Sequence, residues 1–139
     1  MAATVPFKII TPEKTLFDGS AELVIAVTTE GEEGILPRHA PLVAALRPGV
    51  LRANVIADGA PTRLELATRE GFLQALPDRV TVIVDEALRF EEIDVAQARA
   101  DLEQALERQR AAAGDPAAQA REQAAVDFAL ARLRVTGHH

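Results

Sequence analysis

The chain has 139 residues, room for one ordinary domain or a domain with an appendage, and its 48% hydrophobic content supports a packed core that an aromatic share of only 4% makes aliphatic. Cysteine is absent, which excludes disulfides, thiol nucleophiles and cysteine-ligated metals. A formal net charge of −6 with no basic cluster argues against nucleic acid as a partner.

Met1 to Lys8 carries neither a basic n-region nor an apolar h-region, so no secretory signal is expected. No run approaches the roughly 18 apolar residues that span a bilayer. Any membrane association is therefore expected to be peripheral, through a partner, without insertion. Val5 to Ile10 reads as a first strand, ended by Thr11-Pro12, and Glu22 to Val27 as a second. Val50 to Ile56 and Thr62 to Leu66 flank Asp58-Gly59, a strong hairpin signal. Phe72 to Leu76 and Val80 to Val84 form another pair around Pro77-Asp78. Short strands at this spacing predict an antiparallel sandwich or barrel over residues 1–90.

Near residue 90 the composition changes. Fourteen alanines fall between Val95 and Ala131, set among Glu, Gln, Arg and Leu, all strong helix formers. Asp94 is placed as an N-cap with Gln97 three residues on, as in a capping box. Val95, Ala98, Leu102, Ala105 and Leu106 make one apolar stripe. Gly114 stops the helix, Asp115 caps the next and Pro116 opens it. Val126, Leu130 and Leu133 form the second stripe, with Phe128 to one side. So short a break predicts an antiparallel hairpin over 91–139. Alanine buries little area at roughly 25 cal/mol per Å², which leaves two readings open: a stable hairpin, or an element weakly attached and able to detach.

Signatures of catalysis are scarce. His39 is the single histidine inside the folded region and has no metal-ligand spacing around it. Ser20 is the only serine, and no Gly-x-Ser-x-Gly, phosphate-binding loop or dinucleotide fingerprint occurs. Glu32-Glu33, Asp85-Glu86 and Glu91-Glu92 are adjacent, so their side chains are expected to point apart into solvent rather than to work as acid/base pairs. The densest unusual segment is Thr29 to Leu42, with paired glycines and prolines, acids, Arg38 and His39. It reads either as turns around a short strand at Gly34 to Pro37, or as a charged loop that docks on another protein.

That segment, Glu30 to Leu42, resembles the Glu-Gly-Glu-x-Gly-Ile-x-Pro-x-His-Ala-Pro-Leu run of epsilon subunits of bacterial F-type ATP synthases. Thr11-Pro12-Glu13, Leu16-Phe17, Leu46 to Val50, Gly71-Phe72, Pro77 to Val82, Glu92-Ile93-Asp94 and Ala131 to Val135 are similar to the family as well. The resemblance implies a β + α fold, a sandwich of about ten strands followed by the two-helix hairpin. It implies a non-catalytic rotor subunit that binds gamma and the ring of c subunits at the cytoplasmic face of the inner membrane and couples proton flow to ATP synthesis. It implies that the hairpin can extend and inhibit hydrolysis.

By the same resemblance Glu30, Glu32 and His39 are partner-binding residues toward the ring or gamma, Glu32 matching a position that meets the ring and His39 one in the face near gamma, although a turn-ordering histidine is an equal reading. Some members bind ATP at Ile-Asp-x-x-Arg-Ala. Here the run is Ile93-Asp94-Val95-Ala96-Gln97-Ala98, with Gln97 in place of the arginine. Arg99 lies two positions on, about 200° around the helix, and cannot readily substitute, which leaves other arginines as the remaining contributors to any ATP site. No cofactor is expected. Arg121, Arg132 and Arg134 are the cations available to meet acidic segments of the catalytic beta subunits, or else solvated helix-end arginines. Few residues follow Val135, where some members run longer, so a shorter reach is expected. Two rival classes are a stand-alone nucleotide sensor with the hairpin as lid, opposed by Gln97, and a β-barrel enzyme, opposed by the lone internal histidine. Gly137-His138-His139 carries no functional weight.

Overall fold

A computed structural model describes residues 3–138; Met1, Ala2 and His139, on which parts of the leader and terminal-tripeptide readings fall, lie outside the described residues. Nine strands precede two helices: β1 (Val5–Ile10), β2 (Thr15–Thr28), β3 (Gly31–Ile35), β4 (Leu42–Leu46), β5 (Gly49–Ala57), β6 (Ala60–Thr68), β7 (Gly71–Leu76), β8 (Arg79–Val84), β9 (Ala87–Leu88), α1 (Val95–Ala111) and α2 (Pro116–Val135). A 3-10 turn at Phe90–Glu92 joins the two parts.

The strands build a sandwich closed at both ends of β2. One layer runs β1-β8-β7-β4, and the other holds β3, β2, β5, β6 and β9. The start of β2 pairs with β1 and its last residue, Thr28, with Leu46 of β4. All pairings are antiparallel except β1 with β8, which are parallel. The long path from β1 to β8 leaves room for that arrangement, whereas a tight turn would not. Period-two alternation decides what faces inward. Phe7, Ile9, Val24, Ile35, Leu66, Leu73, Val80, Val82 and Val84 are fully buried between the layers.

Turn chemistry sets the registers. Asp58 at φ 51° and Gly59 at φ 77° make the tight β5–β6 hairpin that Asp-Gly predicted. The short strand expected at Gly34 to Pro37 lies instead at Gly31–Ile35. The two-residue turn Thr29-Glu30 brings β3 back onto β2 at once, and Thr28↔Gly31 fixes the register. Leu42–Leu46 and the first half of β2 were not expected as strands; the first is only five residues long, the second carries Asp18 and Gly19.

Asp94 caps α1 by accepting from the Gln97 amide at 3.1 Å, and Asp115 caps α2 by accepting from the Ala118 amide at 3.2 Å. The reciprocal half of the expected capping box is missing, because the Gln97 amide group donates forward to Asp101 at 2.8 Å. The apolar stripes need two corrections. On α1 only Ala98 and Ala105 are buried and Leu106 is exposed, since α2 covers a single face of it. On α2, Phe128 is not peripheral. It is buried against Ala67 and Ala131, with Val50, Leu88, Ile93 and Val135 around it. The helix lies between α1 and the sheet, so it needs two apolar faces.

Candidate functional site

The acidic loop is built by Thr28. This buried hydroxyl donates to the Gly31 carbonyl at 2.7 Å and accepts from the Glu30 amide at 3.1 Å, which fixes the tip of the β2–β3 turn. Gly31 sits at φ 118°, a conformation other residues adopt at a cost. Glu30 and Glu32 are exposed. Glu32 opposes Val27 and Glu33 opposes Ala26, so the two acids leave opposite faces of β3. Glu32 accepts from Arg52 Nη2 at 2.8 Å, reaching across β2 to β5. Arg52 was not anticipated: its partner is twenty positions away and is found only through two strand registers.

His39 is half-buried in the turn after β3. Its amide donates to the Leu36 carbonyl at 3.2 Å and its Nδ1–H to the Ala40 carbonyl at 2.6 Å. Nε2 lies 3.7 Å from Glu33, too far for a hydrogen bond. These bonds order the Leu36–Ala40 turn, in which Arg38 takes φ 66°.

The outward face of β4, β7 and β8 carries a feature not recognised in the sequence. Ala45, Phe72 and Ile83 stand opposite one another across the three strands, with Val43 two residues along β4. Val43 is 70% exposed, Phe72 59% and Ile83 50%. The signal was present as apolar residues out of phase with the buried Leu73 and Val82 beside them. Exposed apolar side chains grouped on one open sheet face make it a candidate interaction surface.

The hairpin closes on the opposite layer. Val50, Ala67 and Leu88 pair in a row across β5, β6 and β9 and form the seat of Phe128. Arg69 and Arg132 both lie over the Phe128 ring, their guanidinium carbons 4.1 and 4.6 Å from its centre. Arg132 donates to Asp101 at 2.9 Å, and Arg69 to Glu86 at 2.8 Å. Burial pushes the Asp101 carboxyl up, but hydrogen bonds from Gln97 and Arg132 and the charges of Arg132 and Arg69 outweigh it and hold the group below its ordinary value. Arg108 with Glu122 and Gln109 with Gln123 add polar bridges between the helices at 2.8 and 2.7 Å.

The three candidate arginines thus separate. Arg121 and Arg134 are exposed, whereas the Arg132 side chain is 11% exposed and internally bonded. Of the helix-opening motif, Ile93 packs near Phe128, Asp94 is the cap, Gln97 bonds Asp101 and Ala98 is buried. No group of three or more His, Cys, Asp or Glu among the described residues could hold a metal ion.

Residues 4–90 match the family described as ATP synthase, Delta/Epsilon chain, beta-sandwich domain. Over 96% of this chain and 92% of the relative, the sequence is 42% identical to the ATP synthase epsilon chain of Acidithiobacillus ferridurans. It is 35% identical to that of Chromobacterium violaceum over 91% of this chain and 89% of the relative. The chain belongs to the ATP synthase epsilon chain family. It is a subunit of that synthase and not an enzyme in its own right. As an epsilon chain it shares its fold with a chain of the Euglena gracilis mitochondrial ATP synthase, OSCP/F1/c-ring in rotational state 1, at a TM-score of 0.77 and 23% identity over 98% of this chain and 82% of that one. A chain of the Tetrahymena thermophila mitochondrial ATP synthase central stalk and c-ring is similar at a TM-score of 0.62 and 18% identity, over 94% and 97%. No described helix of this epsilon chain is long and apolar enough to cross a membrane.

Proposed function

We propose that this epsilon chain works as a rotor subunit with two unlike outer faces, residues 1–90 serving as the docking module and 91–139 as a regulatory arm. One layer of the sandwich is covered by the arm, and the other leaves Val43, Phe72 and Ile83 open to solvent. That uncovered apolar row is the observation that carries the reading. It suits a permanent partner, and the family points to gamma. The exposed Glu30–Glu32 tip suits the polar loops of the c-subunit ring, by an attraction that salt weakens. The assembly would sit peripherally at the cytoplasmic face of the bacterial inner membrane and couple proton flow to ATP synthesis. The arm would inhibit ATP hydrolysis by extending toward the catalytic beta subunits, with Arg121 and Arg134 presented first.

Co-purification tests the docking face. Phe72→Glu places a charge at the centre of the row and should abolish capture of gamma while the β sheet still forms. Undiminished capture would reject the assignment. Removing residues 93–139 from the assembled synthase should raise ATP hydrolysis, and an unchanged rate would remove the inhibitory role.

A further inference from the structure

We propose that Arg69, Phe128, Arg132 and Asp101 form a latch that holds the C-terminal arm closed on the sandwich by protein groups alone, and that the closed latch conceals Arg132. The inference rests on the regulatory reading of the arm and names the contacts that set its closed state.

The apolar part of the joint is small. Its buried members are Ala67, Phe128 and Ala131, two of them alanines. Phe128 is the one large buried side chain among them; the sandwich meets it with Ala67, the half-buried Val50 and Leu88, and the Arg69 guanidinium over its ring. Arg69 is well placed for this. It follows β6 directly, its amide donates to the Glu86 carbonyl at 2.9 Å and its Nε to the Glu86 carboxylate at 2.8 Å. A second guanidinium over the same ring would repel the first, but each has its own carboxylate: Glu86 for Arg69 and Asp101 for Arg132. Asp101 is steadied by Gln97, at the slot where the resemblance would have an arginine.

The groups divide usefully between the moving parts. Arg69 and Glu86 belong to the sandwich, Asp101 to α1, Phe128 and Arg132 to α2. Lifting the arm breaks the Arg69–Phe128 contact. Separating α1 from α2 breaks Asp101–Arg132 and releases a cation that the closed form keeps covered. A partner with acidic segments gains Arg132 only after both steps, so recognition and opening are coupled.

Amide hydrogen exchange on the isolated full-length chain tests this. Arg69→Gln removes the ring contact from a half-exposed position without touching the arm. The amides of 126–135 should then exchange faster by about tenfold or more while those of β7 and β8 stay protected. Glu86→Gln, which leaves both guanidiniums in place, should give a smaller acceleration. Exchange at 126–135 within about twofold of the parent chain in Arg69→Gln would overturn the latch. The functional reading is judged separately: if Arg69→Gln accelerates exchange but does not alter hydrolysis in the assembled synthase, the latch stands and the inhibitory role of the arm falls.

Discussion

Gly71 lies so close to Ile83 that a Cβ built on it would fall 1.9 Å from the Ile83 carbonyl oxygen and 2.7 Å from the Val84 Cα. The obstacle is backbone on a paired strand, so no side chain can turn aside to relieve it. Gly71→Ala should destabilise the sandwich by about 3 kcal/mol, at the upper end of ordinary single substitutions. Urea unfolding of both proteins measures it, and a loss below about 1 kcal/mol would contradict the close approach.

Phe128→Ala should act locally. Truncating a buried phenylalanine costs about 3–5 kcal/mol, but the joint is peripheral to the main core, which contains none of its residues. Circular dichroism should show the helices melting at lower temperature, while the β-sheet transition moves little. A common, equally shifted transition would mean that arm and sandwich unfold as one.

Glu32→Gln should leave stability nearly unchanged. The Glu32–Arg52 pair is exposed, and such pairs contribute about 0–1 kcal/mol. The same substitution should weaken association with the c-subunit ring, most clearly at low salt. A large drop in melting temperature would instead make Glu32 a structural residue.

The pH response of Asp101 has a definite sign. Its folded pKa is lowered, so its contribution is complete above the unfolded value of roughly 3.9 and is lost as pH falls through the lower folded value. The stability difference between the parent chain and Asp101→Asn should be constant from neutral pH to about 5 and close only at more acidic pH. Carboxyl-carbon NMR of Asp101 should report a midpoint below that of a free aspartate.

ATP should not bind the isolated chain at micromolar concentrations. The side chain at the slot, Gln97, is committed to Asp101, and Arg132 is committed to the same carboxylate. Isothermal titration checks it; clear micromolar heats would show that other arginines complete a site.

Much of the fold was legible where local chemistry speaks. Asp58-Gly59, Pro77-Asp78, Gly114, Asp115 and Pro116 each specify a turn or cap within a few residues, and the structure places turns and caps there. The strand at Gly31–Ile35 was misplaced because its register is set by Thr28, a hydroxyl whose importance lies in a turn geometry. Phe128 was misjudged because a stripe drawn for one helix assumes one buried face. Arg52, Arg69 and the Val43–Phe72–Ile83 row were missed for another reason. Each acquires its role from strands that meet only in three dimensions, and no spacing in the chain announces it.

The shortest strand has a consequence for the open arm. β9, Ala87–Leu88, pairs with Ala67 and Thr68 of β6 and precedes the 3-10 turn that leads to α1. It belongs to the sandwich side of any hinge at that turn. The remaining length of β6 carries Pro61 and the ion-paired Arg63 and Glu65, features that discourage another strand from adding there. An arm that swings away thus leaves behind a sheet whose margin is already sealed or charged. In the proposed opening of the arm, edge-to-edge pairing at this margin is therefore disfavoured.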